Sequence, residues 1–321
     1  MSIHNAEPRG NLLYRTPKGR MTLGEGPIYR ANDSTLHWFD CLSSPCELYI
    51  LPVDPATGQA ASEARVVPLA DSITVAAFRK GRPGYIAAYY QGVCFLQETG
   101  DFEVACEIIP TAERGIRRFN DGAVDAAGRF WLAEIDVKAV QYPPGKLPAE
   151  YGTPIGRLWR YDPDGSLHLM VSEGILCGNG VSWSPDNGTV YLNDSVGMMI
   201  YAFDFDLETG NISNRRVLVD FRASGGEPDG MIIDTDGNLW LSLYGTSSIV
   251  VLSPAGERLK EIKFPAKYPT CPTWGGQNHD IIYLSTGRDR TETPDPDDEG
   301  GHMYMHSPIG ARGQAKFEFG G

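Results

Sequence analysis

The sequence predicts an all-β fold, a six-bladed β-propeller with four-stranded antiparallel blades around a central channel. Short runs rich in Val, Ile, Tyr and Trp alternate with turns, and the 321 residues include 37 Gly and 23 Pro. Such a pattern favours strands joined by turns over helices. A hairpin template also recurs at intervals near 50 residues, which is the size of one propeller blade.

Four copies of the template are complete. Each has an oxygen-bearing residue directly before Gly, then an apolar strand, a turn and an aromatic-rich strand. The copies are EGPIYRANDSTLHWFD from Glu25, NDGAVDAAGRFWLAEI from Asn120, NGVSWSPDNGTVYLND from Asn179 and DGMIIDTDGNLWLSLY from Asp229. Two weaker copies start at Ser72 and Cys271. Six units then fill a single domain, residues 1–321. A β-sandwich would not explain the regular spacing, and a β-helix would need a much shorter period.

Two further segments have expected places in this ring. Residues 10–16 (GNLLYRT) and 315–321 (AKFEFGG) are expected to pair and close the ring, which removes an exposed sheet edge. The long insertion at residues 138–154 follows a template copy directly, so it forms either a lid over the channel or a plain surface loop.

Composition excludes several classes of protein. The formal net charge of −13 argues against a nucleic-acid binder. The sequence contains no run of about 18 apolar residues, so we do not expect a membrane span. The polar first residues lack the apolar centre of a signal peptide, so we expect a cytoplasmic protein. Six scattered cysteines without a C-x-x-C pair indicate free thiols, not a zinc ribbon or a redox pair. The oligomeric state stays open.

The ends of the template copies suggest a site. If these hairpins line the channel, each begins and ends at one rim, and Glu25, Asn120 or Asp121, Asn179 and Asp229 converge there. The Gly after each residue permits close backbone approach. Convergent carboxylates repel one another unless a cation compensates them, and carboxylate and amide oxygens suit Ca²⁺, Mg²⁺ or Mn²⁺. Zn²⁺ is a further alternative if water completes its coordination. Singly, Asn-Gly and Asp-Gly are also common turn dipeptides.

Motifs spread over nearly the whole chain resemble those of the SMP-30/gluconolactonase/regucalcin-like family of six-bladed propellers. They are LGEGPIY, RRFNDGAVDAAGRFW, GNGVSWSPDNGTVYLNDS, YAFDFDLETGNISNRR, EPDGMIIDTDGNLWLS and, more loosely, CPTWGG. The resemblance implies one divalent metal ion on the axis, with Ca²⁺ the first expectation. Its implied ligands are Glu25, Asn179 and Asp229, with Asn120 as a fourth ligand or a substrate contact. Arg118 matches a position that binds substrate. The implied chemistry is hydrolysis of sugar lactones, and a minority of the family hydrolyses phosphotriesters.

The sequence departs from the family pattern at the end of the template copy that starts at Asn120 and just after it. Residues 133–135 read AEI where members often read GTM, and Lys138 stands where some relatives carry an acidic substrate contact. We expect Glu134 to lie near the rim as a substrate contact that disfavours an anionic substrate.

The mechanism expected from these residues is attack of water on a lactone carbonyl that the metal polarises. Asp229 is the first choice of general base because a carboxylate can touch both metal and water. Asp194 is the second choice, and its alternative role is a turn-capping carboxylate. Three functions stay open: a metal-dependent lactonase acting on a small lactone, an organophosphate esterase using the same site, and a metal-binding propeller without enzymatic activity. No G-x-S-x-G elbow or P-loop points to another chemistry.

Overall fold

The computed structural model describes residues 9–17 and 19–321, which contain 24 β-strands in six four-stranded antiparallel sheets. The strands are β1 (Asn11–Tyr14), β2 (Gly24–Arg30), β3 (Thr35–Asp40), β4 (Cys46–Pro52), β5 (Arg65–Leu69), β6 (Val75–Phe78), β7 (Tyr85–Tyr89), β8 (Gly92–Leu96), β9 (Phe102–Glu107), β10 (Arg117–Val124), β11 (Phe130–Asp136), β12 (Gly156–Tyr161), β13 (Leu167–Ile175), β14 (Gly178–Trp183), β15 (Thr189–Asp194), β16 (Met199–Asp206), β17 (Asn211–Asp220), β18 (Glu227–Ile233), β19 (Leu239–Tyr244), β20 (Ser248–Leu252), β21 (Arg258–Lys263), β22 (Tyr268–Gly275), β23 (Ile281–Gly287) and β24 (Met303–His306). Three short 3₁₀ turns also occur in these residues, at Thr111–Glu113, Ala139–Gln141 and Ala149–Tyr151.

The sheets form a closed ring of six blades. Blades 1 to 5 are β2–β5, β6–β9, β10–β13, β14–β17 and β18–β21, and blade 6 is β22–β24 with β1. The first strand of each blade packs against the first strands of both neighbouring blades around the central channel. The predicted six-bladed propeller is confirmed, and each template copy, including the weak ones, is the innermost hairpin of a blade. Residues 1–8 and 18 of the predicted single domain lie outside the described residues.

The ring closes differently from the prediction. β1 pairs with β24, with Asn11 opposite Met305, because residues 268–306 supply only three strands and β1 covers the edge they leave. The predicted pairing of residues 10–16 with residues 315–321 is therefore wrong. Instead, residues 315–321 lie against blades 2 and 3: the Phe319 carbonyl accepts the Lys80 N–H at 2.8 Å, and the Gly320 N–H donates to the Gly128 carbonyl at 3.0 Å.

Aromatic side chains of the second strands fill the spaces between blades. Trp131 of blade 3 meets Trp183 and Phe205 of blade 4 with ring centres 5.8 and 5.9 Å apart. Trp240 of blade 5 meets Trp274 of blade 6 at 5.6 Å. Aromatic pairs of this kind stabilise a contact by more than their buried surface area accounts for. The blades therefore hold one another through the aromatic positions of the template.

A buried aspartate fixes the turn of two inner hairpins. Asp125 accepts the N–H groups of Ala127 at 3.0 Å and Arg129 at 3.1 Å, and also the indole N–H of Trp131 at 2.9 Å. Asp234 accepts the indole N–H of Trp240 in the same way at 2.9 Å. One carboxylate thus ties the turn to the aromatic residue of the returning strand, which explains why D-x-x-G-x-x-W appears twice in the template.

The insertion at residues 138–154 packs on the rim between blades 3 and 4. The Gly145 N–H donates to the Val196 carbonyl at 2.8 Å, and Leu147 and Tyr151 pack against a small buried cluster that contains Ile135, Ala139, Leu176, Cys177 and Val196. The segment is thus attached to the rim by apolar contacts as well as by the backbone.

The six cysteines are free thiols, five of them buried. No helix within the described residues is long and apolar enough to cross a membrane.

We expect Phe319→Ala to lower the free energy of unfolding by about 3–5 kcal/mol. Phe319 is 1% exposed and stacks on Tyr161 with ring centres 6.0 Å apart. Phe317 in the same segment is 37% exposed, so Phe317→Ala is the matched control and should cost well under half as much. Urea unfolding of the three proteins measures the difference, and equal losses would contradict the proposed anchoring.

His37 should make stability depend on pH. It is fully buried between Thr35 and Tyr85, and burial, assisted by Arg30, lowers its pKa to about 3. The unfolded value is about 6.5, so its contribution is complete above that pH and falls by up to about 1.4 kcal/mol per pH unit as pH drops from 6.5 towards 3. In His37→Gln this proton-linked loss is absent. The unfolding free energy measured between pH 6.5 and 4 should therefore fall less steeply than in the parent, and identical slopes would count against a neutral buried imidazole.

Candidate functional site

β-Bulges place the candidate ligands at the channel rim. In blade 4, Gly178 pairs with Asp194 and Val181 with Leu192, so Asn179 and Gly180 together face one residue. The same shift of register occurs in the innermost hairpins of blades 1, 3, 5 and 6. A bulge bends the strand and redirects its side chains. Blade 2 pairs without such a shift, and its template copy has no acidic or amide residue before Gly.

The glycine in three of these bulges permits contact between neighbouring inner strands. A Cβ on Gly26, whose φ is +57°, would lie 2.8 Å from the Thr74 carbonyl oxygen of blade 2. A Cβ on Gly180 would lie 2.8 Å from the backbone carbonyl oxygen of Asp229 in blade 5. A Cβ on Gly230 would lie 2.6 Å from the Cα of Cys271 in blade 6. Any side chain at these positions would push the blades apart, so glycine sets the width of the rim.

Three carboxylates from three blades influence one another at this rim. Burial raises the pKa of Glu25 well above its usual value, and the charges of Asp229 and Asp121 raise it further. Burial also raises the pKa of Asp229 well above its usual value, with Asp121 and Glu227 adding to the rise. Burial raises the pKa of Asp121 as well. The effect of the Asp229 charge on the pKa of Glu25 is consistent with the sequence prediction that these two residues approach each other.

Amide side chains complete the rim. Asn179 donates from Nδ2 to the Ser195 hydroxyl at 3.0 Å and accepts the Gly180 N–H on Oδ1 at 3.1 Å, which leaves the other lone pair of Oδ1 available. Ser195 in turn donates to the Pro228 carbonyl at 2.7 Å. Asn120 donates to the Gly178 carbonyl at 3.0 Å. Ser195 thus ties Asn179 to the start of β18, a role that the sequence pattern did not indicate.

Several buried oxygens of the inner hairpins have no hydrogen-bond partner among the described residues, and two of them concern the candidate ligands. These two are Oδ1 of Asp229 and Oδ1 of Asn193. Asn193 also donates from Nδ2 to the backbone oxygen of Asp229 at 2.5 Å. Buried acceptors are normally satisfied, so unpaired oxygens beside buried carboxylates suit a hard cation. Within the described chain, no group of three His, Cys, Asp or Glu side chains is arranged to hold a metal ion, so a cation here would depend on amide oxygens as well as carboxylates.

Asn193 was missed by the sequence analysis. It lies opposite the bulge of Asn179 and Gly180, and only the shifted register reveals that position.

Arg118 brings positive charge to the mouth. Burial raises the pKa of Glu25, Cys41 and Cys177, and the charge of Arg118 opposes that rise in all three. Arg118 belongs to blade 3, whereas these groups belong to blades 1 and 4, so its charge acts across the opening. Arg118 forms no ion pair with any described residue, and its guanidinium is available to a ligand.

The expected role of Glu134 needs correction. Glu134 is fully buried, and Arg157 binds both of its carboxylate oxygens at 2.8–3.0 Å. Trp159 donates to it at 2.8 Å, and Arg117 lies 3.5 Å away. Its charge is therefore balanced inside blade 3. It neither offers a free carboxylate to a substrate nor repels an anionic one, because the two arginines neutralise it.

Asp194 also has its oxygens occupied. It accepts the N–H groups of Leu176 and Cys177 at 3.0 Å and of Gly197 at 3.1 Å. In blade 1, Asp40 accepts the N–H groups of Thr22 and Leu23 at 2.9 and 3.0 Å. These contacts correspond to the turn-capping alternative for Asp194.

Glu227 and Tyr244 are rim residues that the sequence analysis did not single out. Burial raises the pKa of Glu227 to about 7, and Glu227 pairs with Tyr244 across β18 and β19. The Tyr244 hydroxyl accepts a hydrogen bond from the exposed Arg290 at 3.4 Å. The sequence signal for Glu227 was the first residue of EPDG, which lies just before the template copy that starts at Asp229. Lys138, at the start of the insertion, lies 4.7 Å from the Tyr151 ring centre and lines a separate pocket with Ile116 and Asp136.

Comparison with known proteins agrees with this architecture. The family described as SMP-30/Gluconolactonase/LRE-like region matches residues 23–288. The chain belongs to this family. It is 31% identical over 255 residues to regucalcin of Oryctolagus cuniculus, covering 78% of this chain and 81% of that protein. It is 30% identical over 269 residues to a 6-deoxy-6-sulfogluconolactonase of Pseudomonas putida, covering 83% and 84%. The solved structure of a calcium-binding protein, regucalcin from Agrobacterium tumefaciens, superposes with a TM-score of 0.82 at 21% identity and covers 99% of each chain.

We expect Asp194→Asn to destabilise the protein by about 1–3 kcal/mol, because an amide nitrogen would face backbone N–H groups that the carboxylate now accepts. Asp40→Asn is the matched variant in blade 1 and should cost a similar amount. Both should retain the divalent-cation affinity of the parent, measured by titration against a chromophoric chelator. Loss of cation binding in Asp194→Asn alone would place Asp194 in the binding site.

Proposed function

We propose that this family member is a divalent-metal-dependent hydrolase that opens a small sugar lactone or a related cyclic ester. The observation that carries the proposal is the rim itself. Buried Glu25 and Asp229, from blades 1 and 5, repel each other, an Asp229 oxygen lacks a donor, and Arg118 forms no ion pair with a described residue. This arrangement combines a cation site with a cationic substrate contact in one opening.

The donor set fits a hard cation. Glu25 and Asp229 would supply carboxylate oxygens, and Asn179, with Asn120 as a fourth ligand or a substrate contact, would supply amide oxygens. Oxygen ligands of this kind favour Ca²⁺ first, with Mg²⁺, Mn²⁺ or Zn²⁺ as alternatives. A relative and a solved neighbour named regucalcin, the latter described as calcium-binding, support this order. When bound, such a cation polarises a carbonyl and lowers the pKa of water.

The residues around the cation site would position the substrate. Arg118 donates hydrogen bonds to hydroxyl or carbonyl oxygens of the lactone, and Asn120 is near enough to share that role. Arg118 is well suited because its planar guanidinium presents several donors at once. Glu227 and Tyr244 act electrostatically on Asp229 and border the same opening. The similarity to a 6-deoxy-6-sulfogluconolactonase supports a sugar lactone as the substrate class.

Asp229 is the proposed general base. Its unpaired Oδ1 is free to accept a proton from the attacking water, whereas the oxygens of Asp194 already accept three backbone N–H groups. A base must lie within hydrogen-bond reach of the proton it removes, and an oxygen without a donor meets that condition. The proton then passes to the ring oxygen as the lactone opens, which produces the hydroxy acid.

Release of acid from aldonolactones tests this function. We expect turnover on at least one aldonolactone, loss of turnover with EDTA and recovery with Ca²⁺. Asp229→Asn should lower kcat/KM by about 10²–10⁴-fold, the range typical of removing a general base. Stopped-flow with a pH indicator provides the measurement.

Asp194→Asn serves as the control variant at the same rim and should keep kcat within a small factor of the parent. A parallel panel of phosphotriesters separates the alternatives. Turnover on that panel alone would indicate an organophosphate esterase, and tight cation binding without turnover on either panel would indicate a non-enzymatic metal-binding propeller.

A further inference from the structure

The channel continues below the rim as a partly open cavity. A cavity of about 120 Å³ lies between the inner strands, and residues 314–317 form part of its wall. Its lining is largely apolar, with contributions from Val75, Val181 and Met231, while Asp121 and Lys316 supply charge. A cavity of this size that contains charged groups has room for ordered water.

Residues 312–320, here called the crossing segment, span the end of the channel opposite the rim. The Arg312 carbonyl accepts the Thr235 N–H of blade 5 at 2.9 Å. The Gly313 N–H donates to the backbone carbonyl of His279 in blade 6 at 2.8 Å. At the other end, Phe319 is hydrogen-bonded to Phe78 and Lys80 of blade 2. Backbone hydrogen bonds at both ends therefore hold the segment across the opening.

Lys316 belongs to the exposed part of the crossing segment, and its side chain reaches the inner strand of blade 1 along the cavity wall. Its ammonium group donates to the Pro27 carbonyl at 3.0 Å, and Pro27 is only two residues after Glu25. Burial raises the pKa of Asp121 and of Cys271, and the Lys316 charge opposes both rises. Lys316 forms no salt bridge with any carboxylate in the described chain, so its charge is not paired with a single partner, and Asp121 is the rim carboxylate on which it acts.

We propose that Lys316 is a built-in counter-ion that sets the affinity of the rim for its divalent cation. Three buried carboxylates from three blades, Glu25, Asp121 and Asp229, act on one another electrostatically, and one divalent cation balances only two of their charges. Lys316 supplies the remaining positive charge from below. It also keeps the metal-free protein from carrying three uncompensated carboxylates in the channel. This inference rests on the proposed function only in that the rim binds a divalent cation.

Two neutral variants test the charge of Lys316. Lys316→Met removes the charge, and Lys316→Gln removes it while keeping a hydrogen-bond donor for the Pro27 carbonyl. Because a positive charge near a cation repels it, both variants should bind Ca²⁺ about tenfold more tightly. They should also unfold at a lower temperature when metal-free and regain most of the loss with Ca²⁺. Isothermal titration and thermal unfolding with and without EDTA provide the readouts.

Lys316→Arg keeps the charge and should behave like the parent in both assays. Arg79→Met, in blade 2, is the matched control because Arg79 anchors the residue that follows the crossing segment. Arg79 donates to the Gly321 carbonyl at 3.2 Å from outside the channel, so its loss weakens anchoring without changing channel charge. We expect it to lower stability equally with and without Ca²⁺ and to leave Ca²⁺ affinity unchanged. Failure of both neutral variants to fold without Ca²⁺, with Lys316→Arg folded, would also support the proposal.

The outcomes separate this inference from the proposed function. Equal or weaker Ca²⁺ affinity in the neutral variants, with lactone hydrolysis intact in the parent, would overturn the role of Lys316 alone. Tighter Ca²⁺ binding in the variants without any lactone hydrolysis by the parent would support the role of Lys316 and overturn the lactonase. A parent that binds no divalent cation would overturn both.

Discussion

Repulsion among the buried carboxylates at the channel rim is a cost that the fold has to compensate. Glu25, Asp121 and Asp229 come from three different blades, and burial raises the pKa of each. Gathering like charges in a poorly solvated place opposes folding unless something compensates them. The propeller tolerates this because its stability comes from elsewhere, chiefly the apolar and aromatic surfaces between blades. The rigid ring thereby keeps an unfavourable group of charges ready for a cation.

The ring directs these side chains to the axis with one backbone device used five times. A regular β-strand would alternate its side chains between the two faces of the blade. The bulges interrupt that alternation at Asn120, Asn179 and Asp229, and just after Glu25. Gly180 then admits the backbone of Asp229 against β14. Side-chain direction and blade spacing are therefore set at the same few residues, and a change in either would disturb the other.

The sequence predicted more of the fold than of the candidate site. Repeat spacing was enough for the blade number, because each blade needs four strands and two aromatic packing positions. Hairpin ends were placed to within one or two residues: Asp194 pairs with Gly178, one residue before the predicted Asn179, and Tyr244 pairs with Glu227, two residues before Asp229. The bulge causes that offset, and no residue type announces it. Glu134 was misjudged because its partner Arg157 follows the insertion, and a contact across 23 residues leaves no periodic signal. Ring closure by β1 depends on which edge is left open, a property of the whole ring.

Two kinds of rim carboxylate follow from the same template, and their hydrogen bonds distinguish them. Asp40 and Asp194 end the second strands and accept backbone N–H groups of the segments entering their own blades. Their lone pairs hold the hairpin in register, so they stabilise the scaffold. Asp229 begins a first strand, and one of its oxygens has no donor among the described residues. A carboxylate oxygen that folding leaves unsatisfied is the one available for a cation or a proton. Position within the hairpin, not acidity alone, therefore separates structural carboxylates from those that can take part in chemistry.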